Sequence, residues 1–483
     1  MAPSLPTTSP ATPRLAVVPA PEAGSAHLVG ICGAGMKALA ELLVGQGWRV
    51  SGSDLQEPSP AILAMQRRGL RVHAGHHQNH LADDCDVLVY SPAVRQDNPE
   101  RLSAEALGIP QLSYTQMLGR LMQERVGVCI AGTHGKSTTT AMTACILRDA
   151  GTSPSAVFGA ELCNSGTSGW AGDGDFFVAE SCEYKRSFLD LAPSHAAILS
   201  VEPDHFDCYR EVADMEEAFA AFARKVPSSG TLLIKGGCEA TQRVIRGTAA
   251  RLVTFSDQPG FDWWVADLRP TQTGMRFRVF HKGEYLTEIS LPLFGTHNVL
   301  NALAATAMAH ELGVAPAEIR ESLAEFAGIR RRFEACGTWR GVMLLDDYAH
   351  HPTAVKATLQ AARARFGSRR VWCVFQPHQV SRTRALMEEF AASFGDAHEV
   401  LMAPVYAARE SVSAEPTLAS AELARKVAAS GPRARFCPSL DQIVATLEDE
   451  ARPGDVVITM GAGDINRVHH ELARQLRRHR PAG

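Results

Sequence analysis

The 483-residue sequence lacks the features that define several common classes of protein. No apolar run reaches the roughly 18 residues that a membrane-spanning helix needs, so we expect no membrane insertion. The eleven cysteines include no Cys-x-x-Cys pair, which argues against a disulfide framework or a zinc ribbon and favours a reducing, cytoplasmic location. A formal net charge of -4 gives no support to nucleic acid as the main partner.

Residues 1–24 lack the basic start and the continuous apolar core of a signal peptide. They are rich in Pro, Ser, Thr and Ala, a composition that favours a disordered tail. At about 150 residues per domain, the rest of the chain predicts three domains, at 25–121, 122–329 and 330–483. A monomer and a homodimer both remain open.

A glycine-flanked loop follows the short apolar run 128–131 and precedes a predicted helix, 138–149. Its residues are Gly132-Thr133-His134-Gly135-Lys136-Ser137-Thr138. This order is typical of a phosphate loop, in which backbone N–H groups surround phosphate oxygens, Lys136 supplies positive charge and the Ser137 hydroxyl binds Mg2+. Ile130 stands where the full Walker pattern has a glycine. We interpret the loop as an ATP site; the alternative is a Gly-Thr turn with a surface lysine.

A second glycine turn lies nearer the start of the chain. It reads Gly33-Ala34-Gly35-Met36, follows an apolar segment and opens a predicted helix, 36–46. The next predicted strand, 48–53, ends at Ser53 and Asp54, and a further strand, 86–92, contains Ser91. A glycine turn between strand and helix, with an acidic residue ending the second strand, is typical of a fold that binds a nucleotide diphosphate. The glycine spacing does not choose between NAD and another diphosphate.

Four histidines lie close together after this turn: His73, His76, His77 and His80. A metal site is one interpretation, but we find no Cys or carboxylate spaced as a partner. Gly75 and Asn79 are typical of loops, so we favour a polar loop that faces a substrate.

Two polar positions follow predicted buried strands in the central segment. Glu180 comes after strand 176–179, and His205 follows strand 196–201. The carboxyl ends of parallel strands share an edge with the phosphate loop, so both side chains can converge on Lys136 and Ser137. Because Mg2+ prefers carboxylate and hydroxyl oxygens, Glu180 and Ser137 are candidate ligands and His205 is a less usual one. An ordinary solvated strand end is the alternative for Glu180.

Asn298 and Asn301 lie one turn apart at the start of an apolar helix predicted to end at residue 312, so they share a face. Two buried side-chain amides there could form hydrogen bonds to the edge of a nucleotide base. Capping of the helix by Asn298 is the alternative.

Predicted strands and helices alternate from residue 342 onward, which indicates a second doubly wound sheet. We predict strands at 342–346, 370–375, 399–403 and 456–459, and helices at 352–366, 384–394 and 420–430. The fold class is therefore α/β, with a Rossmann-like N-terminal domain, a central P-loop-type ATPase domain with a mostly parallel sheet, and a Rossmann-like C-terminal domain.

The chain resembles the Mur ligase family of peptidoglycan synthesis over nearly its whole length after the tail. The ordered segments that carry the resemblance are Gly33-Ala34-Gly35-Met36, Ser51-Gly52-Ser53-Asp54, Gly132-Thr133-His134-Gly135-Lys136-Ser137, Ala179-Glu180-Ser181-Cys182-Glu183-Tyr184, His297-Asn298-Val299-Leu300-Asn301-Ala302, Arg331-Arg332-Phe333, Asp346-Asp347-Tyr348-Ala349-His350-His351-Pro352-Thr353, Phe375-Gln376-Pro377-His378 and Gly461-Ala462-Gly463-Asp464. The family also lacks the first Walker glycine, which accounts for Ile130.

The resemblance implies an ATP-dependent ligase whose substrates are UDP-N-acetylmuramate, L-alanine and ATP. It implies Mg2+ as cofactor, with two ions expected and Mn2+ able to substitute. The first domain would bind the UDP-sugar, the central domain ATP, and the third would close over ATP and the amino acid. A substrate carboxylate would attack the γ-phosphate, and the amino group of alanine would then attack the acyl phosphate.

The resemblance also implies roles for single residues. Gly33, Ala34, Gly35, Met36, Ser53, Asp54 and Ser91 would contact the sugar nucleotide; Gly132 to Thr138, Asn298, Asn301, Arg332 and Asp347 would contact ATP; Tyr348, His351 and Arg382 would contact the amino acid; Ser137, Glu180 and His205 would bind metal. Lys136, Glu180, His205, Arg332 and Asp347 would carry the catalysis. Two departures from the family pattern are Cys32, where glycine is frequent, and Gln379, where some members have arginine.

Two alternatives stay open at this point. One is a ligase that adds a murein tripeptide to the same nucleotide sugar. The other, from a different class, is an NAD-dependent oxidoreductase built on the first glycine turn, which leaves the phosphate loop unexplained.

Overall fold

The computed structural model describes residues 24–408, 410 and 415–478. The predicted tail, residues 1–24, lies outside the described residues except for Gly24. The chain divides into two compact units, Met1–Met117 and Leu118–Gly483. None of the helices in the described ranges is both long and apolar enough to cross a membrane.

The first unit is built on a five-stranded parallel sheet. Its elements in chain order are β1 Ser25–Val29, α1 Ala34–Gly45, β2 Arg49–Asp54, α2 Pro60–Gln66, β3 Arg71–Ala74, a short 3-10 helix Gln78–His80, β4 Val87–Tyr90, α3 Pro99–Ala106, β5 Gln111–Ser113 and α4 Tyr114–Met122, which continues into the second unit. The strand order is β3-β2-β1-β4-β5. Because the order reverses between β1 and β4, the turns after these two strands flank the crevice in which doubly wound sheets bind ligands.

The second unit contains two sheets, of which the first has ten strands. The elements around it are β6 Val126–Ala131, α5 Lys136–Asp149, β7 Ser155–Val157, β8 Gly169–Trp170, β9 Phe176–Ser181, a 3-10 segment Tyr184–Asp190, β10 His195–Ile198, α6 Val212–Ala223, β11 Thr231–Lys235, α7 Glu239–Val244, β12 Arg251–Ser256, β13 Trp263–Pro270, β14 Met275–His281, β15 Glu284–Leu291, α8 Thr296–Glu311 and α9 Pro316–Ala324. The strand order is β15-β14-β13-β12-β11-β10-β6-β9-β7-β8.

Three neighbouring strands at the middle of this sheet, β10, β6 and β9, run parallel. Their carboxyl ends therefore lie side by side, next to the start of α5. Helices α5 and α8 are buried along most of their length and share one apolar core with the strands. This core fixes the helix that follows the phosphate loop.

The other sheet of the second unit has six strands, all parallel except β16. Its elements are β16 Glu334–Trp339, β17 Val342–Asp347, α10 Pro352–Phe366, β18 Val371–Phe375, α11 Val380–Ala385, α12 Met387–Ala391, β19 Glu399–Met402, α13 Glu415–Ala429, β20 Arg433–Phe436, α14 Leu440–Glu450, β21 Val456–Met460 and α15 Arg467–Arg478. The strand order is β16-β17-β21-β18-β19-β20. Alternate residues of β18 face two separate cores, as expected for a sheet covered by helices on both faces.

The architecture confirms the α/β fold class and the mostly parallel central sheet. The helix predicted at 352–366 is present with those bounds as α10. The single helix predicted at 384–394 is wrong, because α11 and α12 are two short helices that meet at Leu386. Leu386 has φ -113° and ψ 28°, which breaks the helical path at that residue.

Candidate active site

The phosphate loop connects β6 to α5 and is held by the chain that leaves β10. The backbone N–H of Thr133 donates to the carbonyl of Ser200 at 3.0 Å, and that of His134 donates to the Ser200 hydroxyl at 3.0 Å. Gly135 caps α5 with φ 82°, a left-handed conformation that glycine adopts without strain. The loop thus presents the N-terminus of a buried helix, which attracts anions.

Lys136 lies at the start of α5 and points at a buried carboxylate. Its Nζ is 2.9 Å from Oε2 of Glu183 and also donates to the carbonyl of Thr133 at 3.3 Å. Burial alone lowers the pKa of Lys136, but the charge of Glu183 outweighs it and the pKa is raised. Burial raises the pKa of Glu183, yet Lys136 and His205 together hold it at about 2. Both groups are therefore ionised at neutral pH.

Ser137 and Glu180 meet beside this ion pair. The Ser137 hydroxyl donates to Oε1 of Glu180 at 2.9 Å, and the backbone N–H of Gly159 donates to Oε2 at 2.5 Å. Glu180 belongs to β9 and Ser137 to α5, so the sheet brings them together as the sequence predicted. A hydroxyl and a carboxylate oxygen at this separation form the hard oxygen set that Mg2+ prefers, and the residues present fit that ion.

His205 lies next to the same cluster. Its Nε2 is 3.5 Å from Oε1 of Glu183, and its backbone has φ 55°, uncommon for a residue other than glycine. The potential ligand atoms of Cys182, Glu183 and His205 all lie within 4.8 Å of one another. The structure therefore places His205 against Glu183, whereas Ser137 pairs with Glu180.

Asn298 and Asn301 lie in the first turns of α8. The amide of Asn298 donates to the carbonyl of Phe294 at 2.9 Å, and that of Asn301 donates to Oδ1 of Asn298 at 3.3 Å. Gly295, not Asn298, is the N-cap of the helix. Asn301 lies against the phosphate loop, since a Cβ added to Gly135 would come 2.3 Å from its Oδ1.

The third predicted domain contributes an acidic residue and an aromatic residue at the end of β17. Asp347 is buried, and its carboxylate accepts from the backbone N–H groups of Phe333 and Ala349, each at 2.7 Å. Burial raises the pKa of Asp347 in spite of the nearby Arg332. The guanidinium of Arg332 lies 5.1 Å from the ring of Tyr348. These residues form one cluster next to β17.

A buried ion pair joins the ten-stranded and six-stranded parts of the second unit. Nε of Arg382 donates to Oδ1 of Asp204 at 2.7 Å, and both side chains are almost fully buried. Arg382 also donates to the carbonyl of His378 at 3.1 Å. Arg382, which the family resemblance assigns to the amino-acid substrate, is therefore already paired with a carboxylate of the protein itself.

A second bridge between the same two parts includes the phosphate loop itself. Nε2 of His134 lies 3.2 Å from Oε2 of Glu202, which also accepts from the Thr353 hydroxyl at 2.6 Å. Nε2 of His351 lies 3.2 Å from the carbonyl of Pro203. Burial raises the pKa of Glu202, but its contacts with His134 and Thr353 hold it at about 2. The phosphate loop and the six-stranded part of the second unit thus share one ionised carboxylate.

The carboxyl edge of the first unit's sheet collects the residues predicted to bind a sugar nucleotide. Gly33 is the N-cap of α1, so Ala34, Gly35 and Met36 form its first turn. Asp54 accepts from the backbone N–H of Cys32 at 2.8 Å and so stabilises the glycine turn. Ser91 follows β4 and lies against Gly30 of the same turn.

The histidine cluster is different from what we expected. His73 lies on β3, and a buried carboxylate partner does exist: Glu100, on α3, contacts His76 and His80 at 3.3 and 2.8 Å. Sequence spacing alone therefore did not reveal this partner. Glu100 is distant in sequence, and only the packing of α3 against the sheet brings it to them.

Sequence reasoning gave no role to three carboxylates that organise these sites, Glu183, Glu202 and Glu100. Glu183 lies just past the end of β9, where strand-end carboxylates were already expected, so its position was a usable signal. Glu202 and Glu100 acquire their partners through tertiary packing.

Three family models match successive parts of the chain. They are "Mur ligase family, catalytic domain" at residues 25–126, "Mur ligase middle domain" at 130–309 and "Mur ligase, glutamate ligase domain" at 331–463. A phosphate loop that faces strand-end carboxylates, in a chain that also forms two further α/β sheets, agrees with these matches. The chain belongs to the Mur ligase family.

Within this family the chain is similar to enzymes named UDP-N-acetylmuramate–L-alanine ligase. The enzyme of that name from Carboxydothermus hydrogenoformans is 38% identical over 92% of this chain and 95% of its own length. That from Anaeromyxobacter sp. strain Fw109-5 is 40% identical over 92% of this chain and 96% of its own.

Solved structures of ligases are also similar to this chain. The crystal structure of UDP-N-acetylmuramate-alanine ligase from Thermotoga maritima matches with a TM-score of 0.78 at 26% identity, covering 94% of this chain and 99% of its own. A murein peptide ligase from Psychrobacter arcticus 273-4 matches with a TM-score of 0.70 at 25% identity, covering 94% and 98%.

Proposed function

We propose that this protein is an ATP-dependent ligase that joins L-alanine to the lactyl carboxylate of UDP-N-acetylmuramate through an acyl phosphate, releasing ADP and phosphate. The observation that carries the proposal is the Ser137–Glu180 pair beside Lys136 at the start of α5. Curated relatives of this name match at about 38% identity over nearly the full chain. The tripeptide ligase and the NAD-dependent oxidoreductase are not favoured by these relatives.

The proposal assigns the nucleotide to the second unit. Gly132 to Thr138 would surround the phosphates, with Lys136 exchanging Glu183 for a phosphate oxygen. Asn298 and Asn301 would contact adenine, and Arg332 and Asp347 would contact the nucleotide from the third domain. Closure of the third domain over the nucleotide would exclude water that would hydrolyse an acyl phosphate.

Mg2+ would be held by Ser137 and Glu180, with His205 available to a second ion. Bound there, the metal would neutralise negative charge where a carboxylate must approach a phosphoryl group. We propose that two metal ions bind and that Mn2+ can substitute for Mg2+. The carboxylate and hydroxyl oxygens of Glu180 and Ser137 suit both metals, whereas the imidazole of His205 is the less usual ligand.

The remaining assignments follow the domains proposed from the sequence, 25–121, 122–329 and 330–483. The first would bind the UDP-sugar through Gly33 to Met36, Ser53, Asp54 and Ser91. Tyr348, His351 and Arg382 would contact alanine, and Arg382 would then share its guanidinium between Asp204 and the amino-acid carboxylate. We propose a cytoplasmic enzyme that acts as a monomer or homodimer.

The test is phosphate release from ATP in the presence of UDP-N-acetylmuramate. Alanine, glycine, serine and murein tripeptide are supplied in turn, and the amide product is identified by mass spectrometry. We expect release and product with alanine above the others. Preference for the tripeptide would replace the proposal by the tripeptide ligase, and reduction of a nicotinamide would revive the oxidoreductase.

A further inference from the structure

Glu100 is a fully buried carboxylate in the first unit. It occupies the first turn of α3, where Asn98 caps the helix and accepts from the Glu100 backbone N–H at 2.9 Å. A buried charge is costly unless it is paired and hydrogen-bonded, so its partners indicate what it does.

The partners of Glu100 come from three strands of the sheet or the turns after them. Oε2 accepts from the Ser53 hydroxyl at 2.5 Å and lies 3.3 Å from Nδ1 of His76. Oε1 lies 2.8 Å from Nδ1 of His80, and the buried Nε2 of His27, which has no hydrogen-bond partner among the described residues, is 3.8 Å away. Burial raises the pKa of Glu100, but His27 and Ser53 outweigh it and hold it at about 2. The group is ionised.

An ionised carboxylate only accepts hydrogen bonds, and this fixes the protons around it. The Ser53 hydroxyl donates to Glu100, so at its 2.9 Å contact with Nδ1 of His76 it must accept. His76 therefore carries a proton on Nδ1. Its Nε2 has no protein partner in the part of the chain that the structure describes, and its side chain is 17% exposed.

Ser53 and His76 lie at the edge where the sugar nucleotide is proposed to bind. The carbonyl of Ser53 accepts from the backbone N–H groups of Gly30 and Ile31 at 2.8 and 3.2 Å, so Ser53 adjoins the glycine turn. His76 follows β3, the strand paired with β2. A diphosphate bound at the N-terminus of α1 would be anionic, and phosphate oxygens only accept hydrogen bonds.

We propose that Glu100 is a positioning residue for the sugar nucleotide: it holds Ser53 and orients His76 so that Nε2–H can donate to the diphosphate. Donation requires His76 to carry protons on both nitrogens, and the Glu100 carboxylate balances that positive charge. The inference rests on the proposed function. It gives a role to His76, one member of the histidine cluster that the ATP site leaves unused.

The test compares Glu100→Gln, Glu100→Asp and His76→Asn with Glu105→Gln, a control at an exposed position of the same helix. We expect Glu100→Gln to raise KM for UDP-N-acetylmuramate about tenfold, the effect of losing one buried charged hydrogen bond. KM for ATP and kcat should change less than twofold. Glu100→Asp should recover part of the loss. His76→Asn keeps a donor at the Nδ1 position but cannot reach the ligand, so it should weaken binding similarly.

Calorimetric titration of each variant with the sugar nucleotide, without ATP, provides a readout independent of turnover. If the residues act together, combining Glu100→Gln with His76→Asn should cost little more than either change alone. Unchanged sugar-nucleotide affinity in both single variants, or equal losses in kcat and both KM values, would overturn the positioning role alone. A wild-type protein that does not bind the sugar nucleotide would overturn the proposed function as well.

Discussion

A single buried carboxylate balances the charge of the phosphate loop. Glu183 lies 2.9 Å from Nζ of Lys136 and 3.5 Å from Nε2 of His205, with almost no exposure to solvent. In the proposed function, ATP would therefore replace one anionic partner of Lys136 by another and would not have to desolvate a free ammonium group. Such an exchange would make Lys136 a sensitive position for turnover.

Replacing Lys136 with alanine should lower the rate of phosphate release by at least about 100-fold, because the transferring phosphoryl group loses a fixed positive charge. Calorimetric affinity for UDP-N-acetylmuramate should stay largely intact, since the proposed sugar-nucleotide residues belong to the other compact unit. Loss of both properties would contradict the assignment of the two ligands to different domains.

The same residues show what sequence reasoning can reach. Glu180 and His205 could be placed near Lys136 because strand ends in a parallel sheet share an edge. The choice of partner could not be predicted: Glu180 takes the hydroxyl of Ser137, whereas His205 faces Glu183. That choice depends on how the side chains are oriented and on differences of a few ångströms in distance. The order of residues in the sequence does not specify either.

The bounds of a helix could be predicted from the sequence where residues with known boundary preferences stand at its ends. Helix α10 begins with Pro352 and ends at Phe366, with Gly367 as its C-cap, and Pro352 and Gly367 are both standard boundary signals. The segment after β18 has no such signal. Gln379 has φ 68° and Leu386 interrupts the helical backbone, so the single helix predicted at 384–394 is wrong.

The contact between the phosphate loop and helix α8 can be tested by a substitution at Gly135. Gly135→Ala would place a Cβ 2.3 Å from Oδ1 of Asn301 and impose a side chain on a residue with φ 82°. We expect ATP affinity to fall by about tenfold or more, because the loop or Asn301 must move.

Gly151→Ala is the matched control for this change. Gly151 has φ 78°, but nothing lies within 4 Å of a Cβ at that position. The Gly151→Ala variant therefore carries the same backbone strain as Gly135→Ala but has no steric clash. Its ATP affinity should be unchanged. Equal losses of ATP affinity in the two variants would mean that Asn301 is not packed against the loop as described.

At the scale of the second unit, the Asp204–Arg382 pair joins the two sheets. Asp204→Asn leaves a buried guanidinium without its carboxylate, which costs about 3 kcal/mol of unfolding free energy. Urea unfolding followed by intrinsic tryptophan fluorescence should show this loss. Glu388→Gln, which removes the exposed partner of Lys426, should change the same free energy by less than about 1 kcal/mol.

The whole protein should lose stability on acidification in two stages. Burial lowers the pKa of His297, His351 and His469 to about 4, below the ordinary value of 6.5, so the unfolded chain binds protons that the folded chain does not. Stability therefore falls as pH drops from 6.5 towards 4. Glu183 and Glu202, with a pKa of about 2, contribute stability that is present above about pH 4.5 and is lost as pH falls towards 2.

His469 lies on α15 and is buried against the six-stranded sheet, where its Nε2 contacts the Thr459 hydroxyl at 2.8 Å, so it can test the first stage away from the proposed ATP site. Between pH 7 and 5.5 one such histidine should account for about 1 kcal/mol of the loss in unfolding free energy. His469→Gln should start from a lower stability, because it disturbs a buried contact, but its urea midpoint should fall less between these pH values than that of the unmodified protein. A variant with an unchanged pH dependence would show that His469 binds protons equally in the folded and unfolded chains, and the acid sensitivity would then have to come from the other buried groups.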